Sequence, residues 1–210
     1  MSITIVDYGS GNLKSVFNAL YHLAPHENIF ISDKANEILN AERLILPGVG
    51  YFKDAMENLK KKNLIQPLNE AVLERKTPIL AICLGMQLLF EKSSEGGDQK
   101  GLGWIEGHIE KISAKAPHRV PHMGWNDVHF SGDKIFDGLG DAKPFYFVHS
   151  YHACCPKKYV TGTSWHSYDF PVSVRKGHIH GMQFHPEKSH HSGLHVLKNF
   201  IEQSKRGASS

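Results

Sequence analysis

The first half of the chain alternates short apolar runs with segments of helical pattern. Three runs read as buried strands, "ITIVDYG", "RLILPGVG" and "PILAICLG". A helix-like segment follows each of them, in turn "NLKSVFNALYHL", "FKDAMENLKKKNLIQPLNEAVLE" and "MQLLFE". Strands separated by helices predict βαβ units, and therefore an α/β fold with a mostly parallel central sheet and helices on both faces.

The pattern changes from about residue 101 onward, where short strand-like pieces are broken by Gly, Pro and His, as in "GWIEGHIEKI", "PFYFVHSYHA" and "IHGMQFHP". These pieces predict additional antiparallel strands in the C-terminal half. A closing helix is predicted at "SGLHVLKNFIEQSK", because Leu194, Leu197 and Ile201 share one helical face. No repeat or linker divides the chain, so we expect one domain over residues 1–205 and a frayed tail over residues 206–210.

Composition excludes several classes of protein. The 210 residues carry 24 basic and 21 acidic side chains, and this net charge of +3 is too small and dispersed to favour nucleic acid. No apolar stretch approaches the roughly 20 residues of a membrane span, and the chain starts directly with a strand-like run. Neither secretion nor membrane insertion is indicated.

The three cysteines are Cys83, Cys154 and Cys155. Their number is odd and two are adjacent, so an unstrained disulfide between those two is geometrically poor. We therefore expect reduced thiols and a cytoplasmic protein.

Candidate chemistry lies at the ends of the predicted parallel strands. In such sheets a ligand binds at the carboxyl ends of the strands, which here are residues 7–11, 47–50 and 83–85. Cys83 stands between a strand and a helix, where unpaired N–H groups of the new helix would stabilise a thiolate. The N–H of Leu84 would bind a developing oxyanion. A buried structural cysteine would give the same pattern.

A nucleophilic thiol needs a base and a group that orients the base. Near the C-terminus, "GMQFHPEKS" offers His185 directly after a strand-like run and Glu187 two residues later. Such a pair is more often a surface ion pair, so its meaning depends on the thiol. A second oxyanion donor is expected at Val49 and Gly50 of "LPGVG", where the glycines let a peptide turn its N–H inward, although a plain loop would look similar.

These residues resemble the class I glutamine amidotransferases and, among them, the glutaminase subunits of imidazole glycerol phosphate synthase. The motifs that carry the resemblance follow one another along nearly the whole chain, from "DYGSGNLKSV" and "LPGVG" through "CLGMQLLFE", "GLGWIEG", "VPHMGWN" and "YFVHSY" to "QFHPEKS". The resemblance implies a flavodoxin-like amidotransferase domain. It also implies that glutamine is the substrate and that no cofactor or metal is required.

The resemblance assigns roles to individual residues. Cys83 would attack the glutamine side-chain amide, His185 would move the proton, and Glu187 would orient the imidazole. A glutamyl thioester would form and then be hydrolysed. Gln87 is implied as a glutamine-binding side chain, and Ser150 and Tyr151 are implied at the amino acid end of the substrate.

A partner is implied as well. In this family, ammonia passes to a (β/α)₈ cyclase subunit that forms imidazole glycerol phosphate and an aminoimidazole carboxamide ribotide in histidine biosynthesis. On this chain, five residues match positions at or near the face on which the partner docks: Met123, Trp125, Asn126, Tyr146 and Lys188. Activation by the partner is implied, and we hypothesise that the Val49 N–H points away from the site until the cyclase binds its ligand.

Three alternatives stay open at this stage. The segments "HACCPKKY", "TGTSWHSYDFPVSV" and "KSHHSGL" resemble a paralogous branch that would supply ammonia to a sugar amidotransferase in surface polysaccharide synthesis. A cysteine hydrolase such as a peptidase shares the thiol and the histidine. A metal-binding module would have to use four side chains whose spacing fits no familiar zinc pattern, namely His149, His152, Cys154 and Cys155.

Overall fold

The computed structural model describes residues 2–206, and it describes side chains through residue 203. Residues 207–210 of the tail that we expect to fray lie outside this range. Among the described residues, no helix has the length and apolar character needed to cross a membrane.

Thirteen strands lie in the described part of the chain. They are β1 Ser2–Val6, β2 Asn28–Ser32, β3 Arg43–Gly48, β4 Ile79–Cys83, β5 Phe90–Ser93, β6 Gln99–Lys100, β7 Ile105–Lys111, β8 His122–Phe130, β9 Ala142–His149, β10 Tyr151–Cys154, β11 Val160–Trp165, β12 Asp169–Lys176 and β13 Ile179–Met182.

The helices are α1 Leu13–Leu23, α2 Ala35–Leu39, α3 Phe52–Lys61, α4 Ile65–Asn69, α5 Leu84–Leu88 and α6 His190–Arg206. Helix α4 continues as a π-helical turn over Glu70–Glu74. Short 3₁₀ turns occur at Lys134–Phe136, Lys157–Tyr159 and Pro186–Lys188.

Nine strands form one sheet in the order β2-β1-β3-β4-β13-β12-β11-β8-β9. The first five are parallel neighbours, and the last four join by antiparallel pairing. A second sheet has the order β10-β7-β5-β6. The predicted parallel sheet and the added antiparallel strands of the C-terminal half are therefore both confirmed.

Both faces of the large sheet are covered, as the alternation of side chains in β3 shows. Leu44 and Leu46 belong to one buried cluster, which includes the apolar face of α3. Ile45 points to the opposite face and joins a second cluster with residues of α1 and α6. The near-continuous apolar runs seen in the sequence are thus strands that are buried on both faces. Leu197 and Ile201 of α6 are buried, as predicted for the closing helix.

Two local predictions were wrong. The segment "MQLLFE" was expected to be wholly helical, but α5 ends at Leu88 and Phe90 begins strand β5. Phe90 is fully buried and pairs with Ile105 of β7, so tertiary pairing overrides the local helical pattern. The long pattern that starts at Phe52 is also interrupted, because Asn63 adopts a positive φ of 55° and separates α3 from α4.

Candidate active site

Cys83 occupies a strained backbone position at the junction of β4 and α5. Its φ is 55° and its ψ is −111°, a combination that a side chain with a Cβ rarely adopts. Strain of this kind costs about 1–3 kcal/mol and persists where the surrounding structure enforces it. The enforcing contact is visible at Gly85, where an added Cβ would lie only 1.9 Å from the Leu46 carbonyl oxygen. The tight turn holds the thiol at the carboxyl edge of the sheet.

The Cys83 side chain is almost fully enclosed, with 6% of the residue exposed. Its sulfur lies 3.9 Å from the Val148 carbonyl oxygen. The Gln183 side-chain amide donates a hydrogen bond to the same sulfur over 3.6 Å. The thiol therefore packs against the apolar core and also lies among polar groups at one edge of a cavity.

His185 and Glu187 form a buried pair beside this thiol. The His185 Nδ1 and the Glu187 Oε1 are 2.8 Å apart, and their side chains are 2% and 1% exposed. The carboxylate thus fixes the ring and leaves Nε2 free of any hydrogen bond of normal geometry among the described residues. Burial lowers the His185 pKa, but the Cys83 sulfur and the Glu187 carboxylate outweigh it and raise that pKa to about 10. The pair is not an exposed ion pair.

These groups line one cavity of about 400 Å³, a size that suits an amino acid. The residues around it are Val49, Gly50, Tyr51, Cys83, Leu84, Gln87, Glu95, Pro121, Val148, His149, Ser150, Tyr151 and His185. All the residues expected to be catalytic, oxyanion-binding or substrate-binding are in this set except Glu187, which lies behind the His185 ring. The structure therefore brings together segments spread over some 140 positions of the sequence.

The loop expected to supply the second oxyanion donor lies directly beside the thiol. Gly48 at the end of β3 is the pairing partner of Cys83 at the end of β4, so Val49 follows at the same level. The Ser10 hydroxyl donates a hydrogen bond to the Val49 carbonyl oxygen. Gly50 continues the loop with a φ of 99°, which favours glycine.

Comparison with known proteins identifies the family. The model of the family described as "Glutamine amidotransferase class-I" matches residues 4–204. This chain is a class I glutamine amidotransferase. The amidotransferase is 46% identical over 203 residues to the imidazole glycerol phosphate synthase subunit HisH 2 of Vibrio vulnificus, covering 96% of this chain and 94% of that protein.

Two further relatives carry the same subunit name. The HisH subunit of Bacillus cereus is 48% identical over 199 residues, which cover 94% of this chain and 93% of that protein. The HisH 1 subunit of Campylobacter jejuni is 42% identical over 200 residues, which cover 95% and 98%.

Solved structures agree on the fold. A crystal structure titled as a glutamine amidotransferase superimposes with a TM-score of 0.74 at 18% identity, over 96% of this chain and 98% of that one. The glutaminase domain of CTPS from Trypanosoma brucei gives a TM-score of 0.69 at 14% identity, over 98% and 94%. Both confirm the amidotransferase fold predicted from the sequence.

In this amidotransferase, Gln87 is oriented by its neighbours. It is buried on α5, one helical turn after Cys83, and its Nε2 donates to the Tyr151 carbonyl oxygen over 3.1 Å and to Gln183 Oε1 over 2.9 Å. With both amide hydrogens engaged, its orientation in the cavity wall is set. Ser150 and Tyr151 lie where β9 passes into β10 and line the cavity beside Gln87.

The residues expected at the docking face divide into two groups. Met123 and Trp125 point outward from β8 and are 66% and 48% exposed. Trp125 is paired with Tyr146 across the sheet, and the Lys188 ammonium lies 5.8 Å from the Tyr146 ring centroid. These four residues form a surface that we call the aromatic face. Asn126, the fifth, points to the other side of β8.

Asn126 begins a chain of hydrogen bonds that reaches the cavity. Its Nδ2 donates to the Trp165 carbonyl oxygen over 2.8 Å and approaches His122 Nε2 at 3.1 Å. The His122 Nδ1 contacts the His149 Nε2 at 2.9 Å, and the His149 Nδ1 contacts the Tyr151 carbonyl oxygen at 2.8 Å. The Tyr151 carbonyl can only accept and the Asn126 amide nitrogen can only donate, so both imidazoles are neutral tautomers that donate through Nδ1.

The pKa shifts of the two histidines agree with these tautomers. Burial lowers the pKa of His149 to about 3, with a smaller opposing effect from the Tyr151 carbonyl. Burial also lowers the pKa of His122 to about 4, and nearby His166 and His118 add to this. Both rings therefore carry no charge at neutral pH.

Two polar residues at the site are not predicted from the sequence, Gln183 behind the cavity wall and Glu95 in it. Gln183 lies two positions before His185, and in extended chain this spacing places both side chains on one side, which was the available signal. Glu95 is the one carboxylate among the residues that line the cavity, and its Oε2 accepts a hydrogen bond from the Phe52 N–H over 2.8 Å. Burial raises the pKa of Glu95. Donors suited to a metal ion cluster away from the cavity, at His108, Glu110 and Cys154.

Proposed function

We propose that this chain is the glutamine-hydrolysing subunit of imidazole glycerol phosphate synthase. The observation that carries the proposal is a thiol at positive φ that shares one cavity with the buried pair His185 and Glu187. The relatives that bear this subunit name, at 42–48% identity, support the choice of amidotransferase. The free state of the cysteines fits a reducing compartment, and we place the reaction in the cytoplasm.

The first half-reaction forms a thioester. His185 Nε2 takes the thiol proton, and the Cys83 sulfur attacks the side-chain amide carbon of glutamine. The negative charge that develops on the amide oxygen is bound by the N–H groups of Leu84 and of the loop at Val49 and Gly50. The carbon–nitrogen bond then breaks while His185 returns the proton to the departing ammonia.

The second half-reaction releases glutamate. His185, again neutral, removes a proton from water, and the resulting hydroxide attacks the thioester carbon. The carbon–sulfur bond breaks, and the proton returns to the sulfur. Throughout both steps Glu187 holds Nδ1 and stabilises the imidazolium, which is why its carboxylate has to be buried and paired.

The charged amino acid end of glutamine must be bound by polar groups of the cavity. Gln87, Ser150 and Tyr151 lie on that side of the cavity and provide hydrogen-bonding groups. Glu95 adds a negative charge for the substrate ammonium, and such a charge pair fixes the distance between the bound amino acid and the thiol.

Ammonia then passes to a (β/α)₈ cyclase subunit that docks on the aromatic face. Three features of this face suit an interface: Met123 and Trp125 are exposed apolar side chains, and Lys188 is a cation at their margin. Tyr146 connects the face to the site, since its ring centroid lies 6.5 Å from that of His185. Our hypothesis remains that the Val49 N–H turns inward only when the ligand-bound cyclase docks.

The test is glutamate release from glutamine by the purified chain, measured alone, with a cyclase subunit, and with the cyclase plus its ribotide ligand. Cys83→Ala supplies the blank. We expect slow turnover by the chain alone and strong stimulation by the ligand-bound cyclase. Cys83-dependent turnover that ignores the cyclase would instead assign the ammonia to a sugar amidotransferase of the paralogous branch. Cleavage of peptides without cleavage of glutamine would overturn the proposal.

A further inference from the structure

Strands β7 and β10 place four possible metal ligands in a square on one face of the second sheet. The antiparallel register pairs Cys154 with His108 and His152 with Glu110. Because side chains alternate along a strand, residues two apart on each strand share a face. His108, Glu110, His152 and Cys154 therefore meet at one place, although they come from segments that are some forty positions apart.

Three of these side chains are close enough to bind one ion. The donor atoms of His108, Glu110 and Cys154 all lie within 4.8 Å of one another. His108 Nε2 lies 3.6 Å from Glu110 Oε2. The Cys154 sulfur also lies 4.0 Å from His152 Nδ1. The imidazole, the carboxylate and the thiol are thus already gathered on one face of the sheet.

His152 supports this cluster and does not join it as a ligand. Its Nδ1 contacts the Ala153 carbonyl oxygen at 3.1 Å, so Nδ1 must carry the proton. Its Nε2 then accepts from the Tyr168 hydroxyl over 3.0 Å. Both nitrogens are engaged, and the ring is buried beneath Glu110, with Nε2 at 3.5 Å from Glu110 Oε1. His152 is a neighbour that restricts the carboxylate.

We propose that His108, Glu110 and Cys154 bind a zinc ion, with solvent in the fourth position. One sulfur, one nitrogen and one oxygen donor make a ligand set that zinc accepts in tetrahedral sites, whereas Mg²⁺ and Ca²⁺ prefer oxygen alone. Zinc bonds of about 2.0–2.3 Å require the donors to close by about 1 Å. His108 and Glu110 are half exposed and can make this adjustment by side-chain rotation.

Charge balance favours the same ion. Binding releases the Cys154 proton to solvent, and the thiolate and the Glu110 carboxylate then neutralise the two positive charges of zinc. Lys92 is the register neighbour of His108 on β5, and its ammonium lies 3.9 Å from Asp98 Oδ1. Its charge is therefore partly compensated.

A redox role for the adjacent thiols fits the structure less well. Burial raises the pKa of Cys154, with a further contribution from Glu110, to about 12, and burial raises that of Cys155 to about 11. Both thiols are therefore protonated and poorly nucleophilic without a metal. Cys155 packs against the apolar core and lies outside the donor cluster. The grouping considered in the sequence analysis, with His149 and Cys155, is thus replaced by donors from two strands.

The proposed zinc site lies on β10, the strand that also forms part of the cavity wall. Strand β10 starts at Tyr151, whose carbonyl oxygen accepts hydrogen bonds from both Gln87 and His149 in the cavity wall. An ion that ties β10 to β7 would stabilise this wall. Zinc binding itself does not depend on glutamine hydrolysis, so the two proposals can fail separately.

The test uses the full chain with Cys83→Ala, so that the cavity thiol cannot bind the added metal. Zn²⁺ is titrated calorimetrically, and Co²⁺ is added to detect a thiolate-to-metal charge-transfer band. We expect one ion per chain and a clear band, both lost with Cys154→Ser. We expect His108→Ala and Glu110→Gln to weaken binding at least tenfold. Cys155→Ala and the exposed His26→Ala serve as controls and should leave binding unchanged.

Three results would overturn the proposal: no Zn²⁺ binding at micromolar concentration, a band that survives Cys154→Ser, or a band that Cys155→Ala removes. Circular dichroism of each metal-free variant checks that it is folded. If Cys154→Ser does not fold, the half-exposed positions decide the question, because substitutions at His108 and Glu110 leave the core intact. Unchanged affinity in both would then reject the site.

Discussion

Gly48 and Cys83 are register partners at the ends of the parallel strands β3 and β4. This pairing places the loop at Val49 level with the thiol, so that the proposed nucleophile and one proposed oxyanion donor are positioned by the same pair of strands. The approach is close: a Cβ added to Gly48 would lie 2.3 Å from the Tyr8 hydroxyl oxygen and 2.8 Å from the Gly85 nitrogen. The site therefore depends on the absence of a side chain at this position.

Gly48→Ala is expected to destabilise the chain and to abolish most glutamine hydrolysis, because the new methyl group must push apart β3, α5 and Tyr8. Overpacking of this kind typically costs about 1–3 kcal/mol. Urea unfolding and glutamate release measure the two effects. Adding Tyr8→Phe removes the shorter clash and should restore part of the stability. If Gly48→Ala unfolds like the unsubstituted chain, the packing described for this junction is wrong.

The protonation of His185 offers a direct test of the proposed triad. Its pKa of about 10 arises from the Cys83 sulfur and from Glu187, which together outweigh burial. NMR titration of the unsubstituted chain should show a protonated ring at pH 8. Cys83→Ala and Glu187→Gln should each lower the pKa, because each removes a group that favours the imidazolium.

Glu187→Gln should also reduce kcat about 10²-fold or more, because His185 then loses the carboxylate that orients it as general base. Glu57→Gln is the matched control, since Glu57 is an exposed residue of α3 that pairs only loosely with Lys53 and Lys61. A ring that titrates near its ordinary value in all these variants would contradict the assigned roles of both partners.

Gln183 should act as a positioning residue for the thiol. It donates to the Cys83 sulfur over 3.6 Å and accepts from Gln87 over 2.9 Å. Gln183→Leu removes both bonds and should slow alkylation of Cys83 and lower kcat by about 10-fold, in line with about 1.5 kcal/mol for a hydrogen bond to a charged group. Gln183→Glu distinguishes charge from shape, because it retains the size and places a negative charge beside the thiolate. If neither Gln183→Leu nor Gln183→Glu changes the rate of Cys83 alkylation, Gln183 does not position the thiol.

Much of the site could be predicted from the sequence because its chemistry is carried by short local patterns. Cys83 marks a strand-to-helix joint, and His185 with Glu187 follows a strand, so the order of residues alone indicates which groups meet at the sheet edge. The fold class follows from the same alternation of strands and helices. Local pattern and tertiary structure agree in these segments.

The other features of the fold and the site depend on strand pairing, which the sequence does not show directly. Phe90 starts a strand only because β7 and β6 are available as partners, and no local signal shows this. Likewise, Cys154 meets His108 through a register between distant segments. Asn126 matched a docking position by resemblance, but its direction depends on the phase of β8, which sequence spacing alone does not determine.

Stability should fall as the pH drops below 6.5. His149 has a native pKa of about 3 against an unfolded value of about 6.5, so unfolding takes up a proton throughout this window. Its contribution is present above pH 6.5 and decreases as the pH falls towards 3. At pH 5 the loss from this residue is about 2 kcal/mol.

Urea unfolding between pH 7.5 and pH 5 measures this slope. His149→Gln should reduce the proton uptake by up to one per chain, while His26→Ala, at an exposed position, should leave it unchanged. An equal slope in both variants would mean that His149 is charged in the native state, which the tautomer chain to Tyr151 forbids.

Trp125 should be a principal anchor for the cyclase. Its ring stacks on His190 at a centroid distance of 5.0 Å and an interplanar angle of 8°, so it is held rigidly while 48% of the residue stays exposed. A preorganised aromatic side chain loses little entropy on binding, and truncation of such anchors costs about 2 kcal/mol or more. Trp125→Ala should therefore weaken binding to the cyclase at least about 30-fold in a titration of the two subunits. Phe30→Ala is the matched control, because Phe30 is 46% exposed on β2, at the opposite edge of the nine-stranded sheet. Equal losses in the two variants would place the interface elsewhere, whereas a selective loss with unchanged basal glutamine hydrolysis would assign it to the aromatic face.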